Sequence, residues 1–291
     1  MSTAGRVWII TGAGSGFGKA MTELVLSKGE IAVATDINIT GLDDLRKQHG
    51  EDKLLVRVMD VRNAEQVASV FNETFKKFGK IDVVHNNAGL VVAGELEVIP
   101  LDAGRNQVET NFWGTLNVTL ESIRTFRERN PQGVNGKPGG FLLITSSLCG
   151  VSVSPALAYY VAAKHATEGV TESLIAELDP EWNIKVAMVE PGMFRTSFNS
   201  IQPYPPHPAY KKKSLGANIV RKLLTDMTLN VMPGDPVKAV QQMYKLTVMP
   251  DPPLRLALGK DCVNAIREQL TKMLDDVDKY EDWSDDLLVD N

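Results

Sequence analysis

The stretch that most restricts what this chain can become lies near its start. The apolar run Val7-Trp8-Ile9-Ile10 leads straight into TGAGSGFG, Thr11 to Gly18. Phe17, Met21, Leu24 and Val25 then recur at helical spacing, and Gly29 stands where a helix would stop. Strand, glycine turn and helix in this order open a βαβ unit. Glycines at 12, 14, 16 and 18 carry no Cβ, so backbone N–H groups can come close to a ligand. Those groups and the positive end of the next helix together suit a pyrophosphate. About twenty residues on, Asp36 ends the apolar run that begins at Ile31. A carboxylate there accepts hydrogen bonds from adenosine ribose hydroxyls and repels a 2′-phosphate. Neither Ser15 nor Ile37 offers a phosphate a positive charge. The expected cofactor is NAD rather than NADP.

Short apolar runs continue to alternate with helical patterns. Strands are expected at Val7–Ile10, Ile31–Thr35, Leu54–Met59, Ile81–His85, Phe141–Thr145, Ile184–Val189 and Leu254–Leu258. Asn63 with Gln66 three residues on resembles a capping box before another amphipathic stretch. The 291 residues suffice for one large α/β domain. The expected fold is a Rossmann-type, doubly wound, mostly parallel seven-stranded sheet, a single domain with helices on both faces. Two stretches break the rhythm. Asn130–Gly140 is rich in glycine and proline and predicts a surface loop. Ile201–Pro208 is proline-rich and belongs to an insertion over about 193–236, long enough to serve as a lid or binding loop. A helix is expected over Cys262–Leu274, followed by a solvated acidic tail from about residue 275 to 291.

Composition removes several function classes. A net charge of −5 lacks the basic stripe that a nucleic-acid binder needs. The two cysteines, Cys149 and Cys262, and the four histidines match no disulfide framework and no metal spacing. A reducing, cytoplasmic setting follows as the expectation. The first apolar run is only strand-sized and has no cleavage region after it, so it does not read as a signal peptide. Phe141 to Ala163 carries no charged residue, but Gly150 and Pro155 interrupt it, which suits a strand and active-site loop rather than a membrane span.

Tyr160 and Lys164 lie four residues apart in a helical stretch, hence on one face. A phenol near its ordinary pKa of about 10 is a poor base, and a neighbouring ammonium should lower that value. A tyrosine with a lysine at this spacing is common on helix surfaces, so the pair gains meaning only from its surroundings. Tyr159 is the competing tyrosine, but it has Ala163 rather than a lysine four residues on.

Several short motifs occur in a fixed order. They are TGxxxGxG with Gly12, Gly16 and Gly18; Asp60-Val61; Asn86-Asn87-Ala88-Gly89; Asn111; Ser146-Ser147; Tyr160-x-x-x-Lys164; and Pro191-Gly192 followed by Thr196. Over roughly Val7 to Thr196 the chain resembles the short-chain dehydrogenase/reductase family. The segment Pro252-Pro253-Leu254-Arg255-Leu256 resembles the branch of 17β-hydroxysteroid and retinol dehydrogenases.

The resemblance implies an NAD-dependent oxidoreductase that interconverts a secondary alcohol and a ketone or aldehyde. Gly12, Ser15, Gly16, Phe17 and Gly18 would hold the phosphates. Asp60 would bind the adenine amino group, with Val61 beside it. Asn87, with Ala88 and Gly89, would line the adenosine side and brace the sheet. Pro191, Gly192, Met193 and Thr196 would wrap the nicotinamide; Phe194 and Arg195 inside that segment are not specified by the motif and are candidates to face the substrate. Tyr160 would be the acid/base, with Lys164 beside it donating to the nicotinamide ribose. Ser147, thirteen residues before Tyr160, would bind the substrate oxygen, with Ser146 as the neighbouring competitor. Asn111 would hold a water that orients Lys164. The substrate pocket is expected from Leu148–Ala158, Cys149 included, and from the insertion, and to favour a hydrophobic ligand such as a steroid, retinoid, aryl ketone or lipid-like alcohol. Members of the family are commonly homodimers or homotetramers. The alternative is an NAD-binding sensor or scaffold without turnover, against which Asn111, Ser147, Tyr160 and Lys164 all count.

Overall fold

A computed structural model of the chain describes residues 5–130, 139–196, 201, 203–225 and 233–289. Its strands are β1 (Val7–Thr11), β2 (Ile31–Asp36), β3 (Leu54–Val58), β4 (Val83–Asn86), β5 (Gly140–Thr145), β6 (Ile184–Pro191) and β7 (Arg255–Leu258). They form one sheet in the order β3-β2-β1-β4-β5-β6-β7, with every pairing parallel. The strand order reverses between β1 and β4. At such a switch point the connections leave in opposite directions and open a crevice beyond the carboxyl ends of the strands.

A parallel sheet is covered on both faces, so its strands are apolar throughout rather than alternating. Every residue of β1 is buried. Trp8 and Ile10 face a core closed by α1 (Gly16–Ser27), α2 (Asp43–Gln48) and α8 (Pro236–Leu246). Ile9 faces the opposite core, closed by α3 (Ala64–Phe78), α5 (Thr115–Glu128) and α6 (Ala158–Glu177). The remaining helices are α4 (Leu101–Val108), α7 (Gly216–Thr225) and α9 (Lys260–Lys279).

Local signals set several element ends. Gly29 follows α1 at φ 75°, and its N–H donates to Leu26 O at 2.9 Å. Asn63 caps α3 by accepting from Glu65 N and Gln66 N at 3.0 Å each. The expected capping box is only half made, because Gln66 Oε1 accepts from Asp60 N instead. The C-terminal helix is longer than expected at both ends. It starts at Lys260, after Gly259, and its acidic, exposed last turns continue to Lys279. Part of the anticipated acidic tail is therefore helical. Most of the loop expected over Asn130–Gly140 lies outside the described residues, as do the last two residues of the tail. Among the described residues no helix is long and apolar enough to cross a membrane.

Candidate active site

A cavity of about 540 Å³ lies along the carboxyl ends of the central strands. That is a usual size for a small-molecule site. One end is made by the glycine turn and Asp36. The other is made by the turn after β5, the start of α6 and the segment after β6.

At the first end, Gly12 and Gly16 hold φ of 64° and 53°, a region L-residues with a side chain avoid. The Asp36 carboxylate is fixed by the turn itself, accepting from Gly14 N at 2.8 Å and Asn38 N at 3.0 Å. A Cβ on Gly14 would stand 2.5 Å from Asn38 O and 3.0 Å from Asp36 Oδ2. Gly18 faces away from the cavity. Its missing Cβ lets α1 close against the turn, since such an atom would stand 2.7 Å from Gly12 C and 2.9 Å from Ala13 Cα. Thr11 Oγ1 accepts from Asn87 N and Ala88 N, and Asn87 Nδ2 donates to Thr11 O at 3.0 Å. Asn87 thus ties β4 to β1 while lining the cavity.

At the other end, α6 presents Tyr160 and Lys164 on its buried face, and both line the cavity with Ser147. Tyr159 points elsewhere, its ring packed where Gly104 of α4 leaves room. Ser147 caps the short turn Leu148–Gly150, accepting from Cys149 N at 3.1 Å, and its hydroxyl also bonds the Tyr160 phenol. Lys164 Nζ donates to Thr145 O at 2.8 Å and lies 5.7 Å from the Tyr160 ring centre. Burial pushes Lys164 down to about 8. Burial pushes the Tyr160 phenol above its ordinary value, and the hydrogen bond with Ser147 opposes the rise. The expected lowering by Lys164 is therefore not what the site displays: removal of the phenol from water dominates. Cys149 lines the same cavity with its thiol pushed up to about 11, so it is a neutral wall group.

The segment after β6 contributes Pro191, Gly192, Met193, Phe194 and Thr196. Phe194 packs edge-on against Phe17 with ring centres 5.3 Å apart, joining the two glycine-bearing turns.

A family model described as short chain dehydrogenase matches residues 6–203. The chain belongs to the short-chain dehydrogenase family. An uncharacterized oxidoreductase of Schizosaccharomyces pombe is 33% identical over 90% of this chain and 84% of its own. The oxidoreductase calM of Penicillium decumbens is 32% identical over 97% of this chain and 93% of its own. Among solved structures, a short-chain dehydrogenase from Streptomyces avermitilis superposes with a TM-score of 0.84 at 30% identity, covering 99% of this chain and 100% of that one. A family member from Burkholderia phymatum in complex with NAD shares the fold, with a TM-score of 0.74 at 21% identity over 94% of this chain and 96% of that one.

The structure places the residues expected at four further positions of the site off the cavity wall. Asn111 is buried outside the cavity wall. Its side chain pairs twice with the main chain of Leu90, Nδ2 donating to Leu90 O and Oδ1 accepting from Leu90 N, both at 2.8 Å. It sits in a π-helical turn, Glu109–Gly114, which widens the helix there. Its visible role is to brace the Gly89–Leu90 wall, and only its main-chain oxygen, bonded to Thr115 and Thr167, faces α6. Asp60 and Val61 do not line the cavity: Asp60 is ion-paired to Arg62 at 2.5 Å and Val61 is buried in the second core. Ala88 likewise contributes its N–H to Thr11 rather than a cavity surface. Arg195 is exposed and absent from the wall.

Sequence reasoning also missed residues. Val220, Leu223 and Leu224 of α7 line the cavity, in the insertion where a binding loop was expected but without individual signals. Asp261 and Ala265 of α9 reach it from the far end of the chain. Thr145 is held from below by His85, whose Nε2 lies 3.0 Å from Thr145 Oγ1 and whose burial lowers its pKa to about 3.

Proposed function

We propose that this chain is an NAD-dependent oxidoreductase that interconverts a secondary alcohol and a ketone or aldehyde, with Tyr160 as general acid/base. The observation that carries the proposal is that the Tyr160 phenol, Ser147 and Lys164 line one cavity with the glycine turn and Asp36. The residues present fit a dinucleotide. Gly12 and Gly16 line the cavity at positive φ, where a side chain would be strained, and the Asp36 carboxylate at the rim of the turn is already oriented. Gly12, Ser15, Gly16 and Phe17 would hold the phosphates, and Asp36 would accept from the adenosine ribose. Pro191, Gly192, Met193 and Thr196 would surround the nicotinamide. When bound, that ring supplies or takes up the hydride.

The chain's own groups handle the proton and the charge. In reduction Ser147 donates a hydrogen bond to the carbonyl oxygen, where negative charge develops. Tyr160, protonated at neutral pH because burial holds its pKa high, gives its proton to that oxygen. In oxidation the same phenol must take a proton from the alcohol. The Lys164 ammonium, four residues on and donating to Thr145 O, is the cation nearest the phenolate that must then be stabilised. Leu148, Leu157, Val220 and Leu224 give the substrate end an apolar wall. That wall suits a hydrophobic alcohol or ketone. A similar protein named 3-ketodihydrosphingosine reductase, 31% identical over 66% of this chain, supports a lipid-like carbonyl among the candidates.

The test is Tyr160→Phe, assayed on a panel of alcohols and ketones with NAD(H) and NADP(H) side by side. Turnover should fall by roughly 10²- to 10⁴-fold, the usual contribution of general acid–base catalysis, while NADH binding persists. Unchanged turnover refutes the assignment. Tight NADH binding with no activity of the parent protein on any substrate favours a sensor instead.

A further inference from the structure

The C-terminal helix reaches back to the cavity through one charged side chain. Asp261, in the first turn of α9, lies on the cavity wall beside the segment after β6. Its Oδ2 accepts from Met193 N at 2.7 Å. The carboxylate is wedged between two glycines. A Cβ on Gly192 would stand 2.5 Å from Asp261 Cγ, and one on Gly259 would overlap Oδ1. A backbone bond from Gly192 N to Leu258 O at 2.8 Å ties the same two strand ends together. Thus the ends of β6 and β7 are shaped to hold a carboxylate, which itself sits at the favourable end of a helix.

We propose that Asp261 is a specificity-determining residue that makes this end of the cavity prefer the oxidised, positively charged nicotinamide over the reduced, neutral one. The inference rests on the reading that Pro191–Thr196 holds the nicotinamide. Two effects follow from one side chain. As an acceptor for Met193 N–H, it fixes the segment that either form of the cofactor must contact. As a charge on a partly buried wall, it interacts more strongly with a cation than it would in bulk water. Lys164, which also lines the cavity and is engaged with Thr145 O, acts against this preference. A hydrogen-bond acceptor alone would fill the first role; only a carboxylate fills the second.

The experiment measures dissociation constants of NAD⁺ and NADH, the latter by its fluorescence and the former by competition, at fixed pH and ionic strength. Asp261→Asn keeps an acceptor for Met193 N–H and removes the charge. It should reduce the preference for NAD⁺ relative to NADH by about five- to thirtyfold, the scale of one partly screened charge pair. Asp261→Glu, which keeps the charge, should retain most of the parent preference, and Asp261→Ala should weaken both forms. Should Asp261→Asn fail to fold, Asp261→Ser, a shorter uncharged acceptor, takes its place. An unchanged ratio in the uncharged variant overturns the proposal while leaving the dehydrogenase reading intact. Failure of the parent protein to bind either form overturns both.

Discussion

Gly18→Ala is the substitution whose consequence the coordinates define most closely. The new Cβ would stand 2.7 Å from Gly12 C and 2.9 Å from Ala13 Cα, and would overlap Gly12 O. All three are backbone atoms, so no side chain can swing aside. Helix α1 or the glycine turn must move to restore ordinary contact. Overpacking of this kind costs about 1–3 kcal/mol. In a domain this large each kcal/mol lowers the melting temperature by roughly 2 °C, so a drop of about 2–6 °C is expected. Because α1 and the turn together form the proposed pyrophosphate seat, NADH affinity should fall as well. Losing one or two charge-assisted hydrogen bonds at about 1.5–3 kcal/mol each corresponds to at least tenfold. Gly29→Ala supplies the control. Gly29 has a φ of 75°, yet nothing lies within 4 Å of the new atom, so only backbone strain of about 1–2 kcal/mol applies. The two variants should melt at similar temperatures, and only Gly18→Ala should lose NADH. Parent-like melting and affinity in Gly18→Ala would refute the reasoning.

Three further outcomes are expected. Asp36→Ser removes the carboxylate that Gly14 N and Asn38 N now hold, so the ratio of kcat/KM for NADH over NADPH should drop, by about tenfold or more, in a steady-state comparison. His85 is held at about 3 by burial, against about 6.5 when unfolded, so the unfolded chain takes up the proton first as the pH falls below 6.5 and stability is lost. Between pH 7 and pH 5 the parent should lose about 2 kcal/mol more than His85→Leu in denaturant titrations, the Glu190 carboxyl, raised to about 7, acting in the opposite sense in both proteins. Arg221 pairs with the buried Glu95 and pins α7 over the cavity, so Arg221→Leu should cost about 3 kcal/mol and raise KM for a hydrophobic substrate while leaving NADH affinity near its parent value.

The sequence alone determined what depends on neighbours within a turn or a strand. The run from Val7 to Ile10 with its glycine turn specified the first βαβ unit, because apolar continuity and absent Cβ atoms act locally. The alternation that follows specified a parallel sheet buried on both faces. A spacing of four put Tyr160 and Lys164 on one helix face, and a lysine four residues on distinguished Tyr160 from Tyr159. Tertiary structure decided what joins distant segments. Asp261 meets Met193 across 68 residues, and Arg221 meets Glu95 across 126, with no periodicity to announce either. Asn111 fitted the motif, yet its side chain is bound to Leu90. The lowering of the Tyr160 pKa that the lysine spacing suggested was reversed, because desolvation is set by every element packed around the phenol and a spacing of four reports on only one of them.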